Sequence, residues 1–288
     1  MSGKKPRRLV VVGNGMAAGY AIEEILARDP DAYAITVFGA EPYGNYNRIL
    51  LSEVLNGSHA PERIFLNPLA WYAERGIVLH AGVKASRIDR ERRVVIGRSV
   101  RPGAPAYGID GCDESAPEIA APYDQVILAT GSRPFVPPIE GLETPGTFLF
   151  RTLEDCERIG IWAATSRRAV VIGGGLLGLE AARGLLAHAL EVTVVEAAPQ
   201  LMAAQLDAEA GAILRTTLEA MGIRVVVDAV TARILGEERV RGLMLKDGTE
   251  LEADLVVVSA GIRPITEVAA ASGLRVGRAV VCDDQLRT

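Results

Sequence analysis

Residues 168–196 read RAVVIGGGLLGLEAARGLLAHALEVTVVE, and this stretch decides the fold. A short apolar strand, 169–172, runs into Gly173-Gly174-Gly175-Leu176-Leu177-Gly178. An alanine- and leucine-rich helix follows, and a second strand, 192–195, ends on Glu196. This is G-x-G-x-x-G with a strand before it, a helix after it and an acid about 20 residues on. Gly173 makes the tight turn, Gly175 lets backbone approach a pyrophosphate, and Gly178 lets helix pack close on strand. The helix N-terminus offers N–H groups and a positive dipole end to the phosphates. A glycine-rich turn that serves packing alone would not need the acid.

Glu196 selects the dinucleotide. A carboxylate at this strand end accepts hydrogen bonds from a ribose 2′-OH. A 2′-phosphate there would meet like charge, at a cost of about 4 kcal/mol per pair at ~4 Å and an effective dielectric of ~20. That is on the order of several hundred-fold in affinity. Ala197-Ala198-Pro199-Gln200 supply no arginine to receive such a phosphate, so NADH is favoured over NADPH.

The amino-terminal region repeats the plan. Strand 9–12 leads into Gly13-Asn14-Gly15-Met16-Ala17-Ala18, a G-x-G-x-x-A turn, followed by a helix and a second strand at 35–38. The acid is displaced: Gly39 stands where Glu196 stands in the other copy, and Glu41 comes two residues later as the ribose candidate. Two nucleotide sites suggest two cofactors, and FAD plus NAD(H) is the economical pair, because a flavin takes a hydride and passes electrons on.

Between the fingerprints, Arg48 is a candidate for a pyrophosphate and Ser52 for a flavin edge; an ordinary helix start capped by Asn47 explains the same residues. Trp71 and Tyr72 read as core positions of a short amphipathic helix. Segments 77–80, 86–89 and 93–96 read as an antiparallel meander, and 97–121, rich in Gly, Pro and Ala, as a long surface loop or hairpin extension. Asp113 and Glu114 read as solvated rather than as metal ligands. A buried strand then ends in Ala129-Thr130-Gly131, whose small residues allow a cofactor close to the backbone. After Glu196, 201–221 reads as helical, and 223–227, 230–235, 240–245 and 250–254 as a second meander. Strand 255–258 and Ser259-Ala260-Gly261 echo the Ala-Thr-Gly strand. The expected organisation is α/β: residues 1–150 an FAD-binding domain, 151–264 an NAD(H)-binding domain inserted into it, and 265–288 the start of a return to the first.

Composition narrows the class. The 288 residues suit about two domains, and 49% hydrophobic with 23% charged residues suits a globular chain. A net charge of −5 argues against nucleic acid as principal partner. No apolar run approaches the ~18 residues of a membrane span. Lys4-Lys5-Pro6-Arg7-Arg8 and the apolar run after it are no signal peptide, since the run breaks at Gly13 and a helix with Glu23 and Glu24 follows. Cys112, Cys156 and Cys282 are scattered, which suits a reduced, cytoplasmic setting, and His59, His80 and His188 are isolated, so no metal site is expected.

These motifs, in this order, resemble the two-dinucleotide-fold flavoproteins, which include glutathione-reductase-like and ferredoxin- or rubredoxin-reductase-like enzymes. Within them, Gly13-Asn14-Gly15-Met16-Ala17, residues 46–52 (YNRILLS) and residues 201–207 (LMAAQLD) are similar to the amino-terminal region of assimilatory nitrite reductase large subunits. The resemblance implies FAD contacts at Gly13, Gly15, Met16, Ala17, Ala18, Glu41, Arg48, Ser52, Ala129, Thr130 and Gly131, with Val83 near the adenine. It implies NADH contacts at Gly173, Gly175, Leu176, Leu177, Gly178, Glu196 and Gly261, with Glu180 as the catalytic candidate near the nicotinamide. Its implied function is hydride transfer from NADH to FAD, then electron delivery to iron–sulfur and siroheme centres further along a longer chain. A stand-alone reductase of a small iron protein is the enzymatic alternative, and an NAD-binding redox sensor or scaffold the non-enzymatic one. A homodimer is the assembly to test. Related ferredoxin reductases carry a lysine where Glu53 stands, paired with the acid matching Glu180, and no such pair can form here. The return to the first domain begins at 279–282 and stops, so the resemblance implies a truncated first domain. A disulfide reductase would need a low-pKa cysteine beside the flavin, and residues 39–57 contain none.

Overall fold

A computed structural model describes residues 5–101 and 111–288. Its α-helices are α1 (Met16–Arg28), α2 (Leu51–Leu55), α3 (Leu69–Glu74), α4 (Leu153–Ala163), α5 (Leu176–Leu186), α6 (Ala208–Ala220) and α7 (Glu267–Ala271). The chain forms two compact units, one from Met1–Asn47, Phe65–Arg133 and Arg263–Thr288, the other from Arg48–Ile64 and Pro134–Ile262. The amino-terminal part of the first unit thus stops at Arg133 and lacks 48–64. The reason is pairing: Thr147–Leu149 hydrogen-bonds to Leu255–Val258 in the second unit's sheet, and α2 packs on α4 and α5.

The first unit is built on a four-stranded parallel sheet in the order Val78–Ala81, Tyr33–Gly39, Arg7–Val12, Gln125–Leu128. Within Arg7–Val12, the apolar run 9–12 is buried on both faces, as its lack of alternation requires. Leu9 and Val11 pack with Ile22 of α1 and Tyr72 of α3, while Val10 and Val12 pack with Phe38, Val95 and Val268. A three-stranded antiparallel sheet, Val83–Asp89, Val94–Ser99 and Ile119–Pro122, covers the second face. The second unit repeats the order, Ile223–Val226, Glu191–Val195, Arg168–Ile172, Leu255–Val258, with Thr147–Leu149 added at the far edge. It carries its own antiparallel sheet, Thr231–Leu235, Gly242–Leu245 and Glu250–Glu252.

Four expectations change. Segments 77–80 and 223–227 are not meander strands but the outer parallel strands of the two sheets; alternation marks a strand without naming its neighbour. The loop at 97–121 is shortened at both ends by the antiparallel strands, and 102–110 lies outside the described residues. Helix α6 begins at Ala208 instead of 201, because the Asp207 carboxylate accepts the Ala210 N–H at 2.9 Å and caps it. Helix α2 begins after a 3₁₀ turn at Arg48–Leu50, so its N-cap is Leu50 and not Asn47.

An ion pair closes the base of the first sheet. The Asp124 carboxylate accepts from Arg8 Nη2 at 2.7 Å and from the Arg8 backbone N–H at 2.8 Å. The Arg8 side chain holds the Asp124 carboxyl well below the usual carboxylate range. A depressed folded pKa stabilises above the unfolded value of about 4 and is lost as pH falls through the folded one. Asp124→Asn should therefore lower the denaturation midpoint at pH 7, with the gap to the parent narrowing below about pH 4. A gap independent of pH would contradict this.

Candidate functional site

In each unit the sheet order reverses at the first strand, and a ligand crevice forms outside the carboxyl ends of strands at such a switch point. Both glycine loops lie there. In the first, Gly13 donates to Phe38 O at 2.9 Å and has φ +108°; a Cβ on it would lie 2.1 Å from Ala129 O. In the second, Gly173 donates to Val195 O at 2.8 Å and has φ +118°; its Cβ would lie 2.3 Å from Ser259 O. Only glycine lets Ala129-Thr130-Gly131 and Ser259-Ala260-Gly261 approach their loops this closely. Gly178 is equally constrained, since a Cβ there would lie 2.0 Å from Gly173 O.

The next glycine of each loop faces open space. Gly15 and Gly175 are the N-caps of α1 and α5, no heavy atom outside the adjoining chain lies within 4 Å of their missing Cβ, and no side chain caps either helix. The other two long helices are closed, α4 by a Thr152–Asp155 capping box and α6 by Asp207. The first-turn amides of α1 and α5 are thus presented to an open cradle, the donor set a dinucleotide pyrophosphate needs. Met16 and Ala17 lie at the mouth of the first, while Ala18 is fully buried and serves helix packing. Leu176, 62% exposed, lies at the mouth of the second with half-buried Leu177 behind it.

Hydrogen bonds hold the polar candidates Glu196, Glu41 and Thr130. Glu196 Oε2 accepts the Gly174 N–H at 2.5 Å and Oε1 the Ala198 N–H at 2.7 Å. This anchors a carboxylate at the strand end, beside the loop. Glu41 Oε2 accepts the Tyr46 hydroxyl at 2.6 Å. Thr130 Oγ1 donates to Ile265 O at 2.6 Å, and Gly131 O accepts the Ile265 N–H at 3.0 Å, so the Ala-Thr-Gly turn is tied to the returning segment. Val83 is only 6% exposed and packs into the core, so its backbone alone is left to face a nucleotide.

Arg48, Ser52 and Glu53 belong to the second unit. Arg48 Nη1 donates to Arg151 O at 2.9 Å, and Ser52 lies in the first turn of α2. Helix α2 packs closely on α5 because Gly184 has no side chain: a Cβ there would lie 3.0 Å from Leu55 Cδ2. The same packing sets Glu53 beside Glu180. Ser58 and Asn56 donate to Glu53 and keep it ionised, while burial, helped by the Glu53 charge, pushes the Glu180 carboxyl up. Gly261, exposed at φ +104°, accepts the Phe135 N–H at 2.8 Å.

Residues 7–288 match the family model described as pyridine nucleotide-disulphide oxidoreductase. The chain belongs to that family. It is 45% identical to nitrite reductase [NAD(P)H] of Bacillus subtilis over 286 residues, covering 99% of this chain and 33% of the relative. Among solved structures it resembles an NAD-dependent persulfide reductase from A. fulgidus (32% identity, TM-score 0.83, 94% of this chain, 48% of that one). It also resembles a ferredoxin reductase from Rhodopseudomonas palustris (29% identity, TM-score 0.83, 97% and 65%). The chain therefore spans about a third of the length of the nitrite reductase it matches. Membership makes FAD and NAD(H) its cofactors, and the paired cradles fit two dinucleotides.

Cys156 is not placed for the disulphide chemistry in the family's name. Cys156 is buried, donates toward Leu51 O at 3.5 Å, and burial, followed by the Asp155 charge, pushes its thiol up to about 12. A thiol of this kind is not a nucleophile. At pH 8 a colorimetric thiol reagent should titrate exposed Cys282 at once and Cys156 only on unfolding; equal rates would overturn this. Among the described residues no cluster of His, Cys, Asp and Glu could hold a metal ion, and no helix is long and apolar enough to cross a membrane.

Tyr72 is the residue whose role sequence reasoning missed: its hydroxyl donates to Asn14 Oδ1 at 2.7 Å, inside the first glycine loop. A tyrosine where phenylalanine would fill the core was the available signal.

Proposed function

We propose that the first cradle holds FAD and the second NADH, and that the chain is the entry module of a longer electron-transfer enzyme of the nitrite reductase type. The observation that carries this is the matched pair of open helix N-termini behind Gly15 and Gly175, with an acid fixed at the end of the second strand only in the NADH copy. When bound, the flavin accepts a hydride from reduced nicotinamide and hands electrons onward. The chain's own residues bind and orient. The α1 and α5 amides hold the pyrophosphates, Gly13 and Ala129-Thr130-Gly131 shape the first crevice, and Glu41 takes the flavin nucleotide's ribose. Glu196 takes the adenosine ribose of NADH, Gly261 borders the nicotinamide, and Glu180 lies beside it as a half-buried carboxyl.

The acceptor we infer is an iron–sulfur or siroheme centre, from the 45% identity to a nitrite reductase. The likeness to a ferredoxin reductase supports a small iron protein as the second reading. We place the reaction in the cytoplasm, where three cysteines stay reduced. The test is the visible spectrum of the purified chain with FAD supplied, before and after anaerobic NADH. Bleaching of bound flavin is the expected result. Bound flavin that stays oxidised would reject the hydride-transfer reading, and absence of binding would reject the first-cradle assignment.

A further inference from the structure

The two glycine loops solve one packing problem in opposite ways. Their register is the same: Val12 lies opposite Phe38 and Ile172 opposite Val195, so Gly39 corresponds to Glu196, and Asn14 to Gly174. In the second unit the strand end supplies the side chain. Glu196 reaches back to the Gly174 N–H, and a Cβ on Gly174 would lie 2.6 Å from Leu201 Cδ2 and 3.0 Å from Glu196 Cβ. In the first unit the loop supplies it. Gly39 is bare, and Asn14 Cβ sits 3.0 Å from where a Gly39 Cβ would be.

Asn14 is then held from outside the βαβ motif. Its Oδ1 accepts from Tyr72 Oη at 2.7 Å and its Nδ2 donates to Tyr43 O at 3.4 Å. Tyr72 is 1% exposed and comes from α3. Deleting its buried hydroxyl leaves the Asn14 carbonyl oxygen without its donor. Burial also pushes the phenol up, so it stays a neutral donor throughout the working pH range. The displaced acid now has a cause. Glu196 anchors its loop and is also the proposed ribose acid, whereas in the first unit Asn14 supplies the anchor and the proposed ribose acid, Glu41, accepts from Tyr46.

We propose that Tyr72 is a positioning residue for FAD, acting through Asn14 to fix the first glycine loop as Glu196 fixes the second. This rests on the reading that the first loop cradles FAD. The test is FAD affinity by quenching of flavin fluorescence, with thermal midpoint and NADH affinity measured on the same preparations of the full chain. Tyr72→Phe should weaken FAD binding about tenfold, the worth of one lost buried hydrogen bond, and leave NADH affinity unchanged. Asn14→Ala should do the same, and the double variant should lose no more than either single one. Unchanged FAD affinity in Tyr72→Phe, or fully additive losses, would overturn the proposal. So would a loss of NADH affinity equal to that for FAD, since it would report a general destabilisation. Gly15→Val separates the premise: if it retains FAD, the first-loop assignment is wrong whatever Tyr72→Phe does, whereas loss of FAD in Gly15→Val with none in Tyr72→Phe condemns the positioning role alone.

Discussion

Gly173→Ala is expected to abolish measurable NADH binding while leaving FAD binding within a fewfold of the parent. The alanine methyl would sit 2.3 Å from Ser259 O and 2.8 Å from Ser259 C, both backbone atoms, at a φ of +118°. Neither atom belongs to a side chain that can rotate away, so the loop or the Ser259 strand end must move. Overpacking of this kind costs about 1–3 kcal/mol, and the left-handed backbone adds about 1 kcal/mol or more. The mirror experiment is Gly13→Ala, whose methyl would meet Ala129 O at 2.1 Å at φ +108° and which should remove FAD in preference to NADH. Calorimetric titration with each nucleotide checks the pair. Equal loss of both nucleotides in both variants would sink the assignment of one cofactor to each loop.

The second large effect is at Glu196. Glu196→Arg should raise the NADPH:NADH selectivity ratio by on the order of 100-fold, by removing a like-charge contact with the 2′-phosphate and supplying a cation. Affinity for NADH should fall as well, because the parent carboxylate also holds the Gly174 and Ala198 amides. Glu196→Gln removes the charge and keeps one of the two acceptors, so it should relax the NADH preference without creating one for NADPH. A selectivity ratio unmoved in Glu196→Arg would refute the reading of this residue as the ribose acid.

Both fingerprints were legible because their chemistry is local: strand, turn and helix are neighbours in sequence, and the glycines are dictated by backbone atoms a few residues away or at one strand end. What escaped sequence reading is non-local. The outer parallel strands Val78–Ala81 and Ile223–Val226 look like any short apolar strand until their partners Tyr33–Gly39 and Glu191–Val195 are known. Arg48–Ile64 follows the first fingerprint in sequence but packs with the second unit, through the Leu55–Gly184 contact and the His188 Nε2–Leu55 O contact at 2.7 Å. Tyr72 looked like filler because a hydroxyl 58 residues from its acceptor leaves no pattern in the chain.

The interleaving of the units sets an order of assembly during synthesis. The second unit needs only Arg48–Ile64 and the continuous stretch Pro134–Ile262, whereas the first needs α7, which follows that stretch in sequence. Val268 fills the first unit's core, and Ser272 Oγ accepts the Ile88 N–H at 2.8 Å and donates to Val268 O at 2.5 Å. On the ribosome, the half that is translated first is therefore the half that is completed second. Until about residue 272 emerges, the face of Val83–Asp89 that receives α7 is bare. A chain released after residue 262 should bind NADH and fail to retain FAD, and a truncated chain that keeps FAD would contradict this.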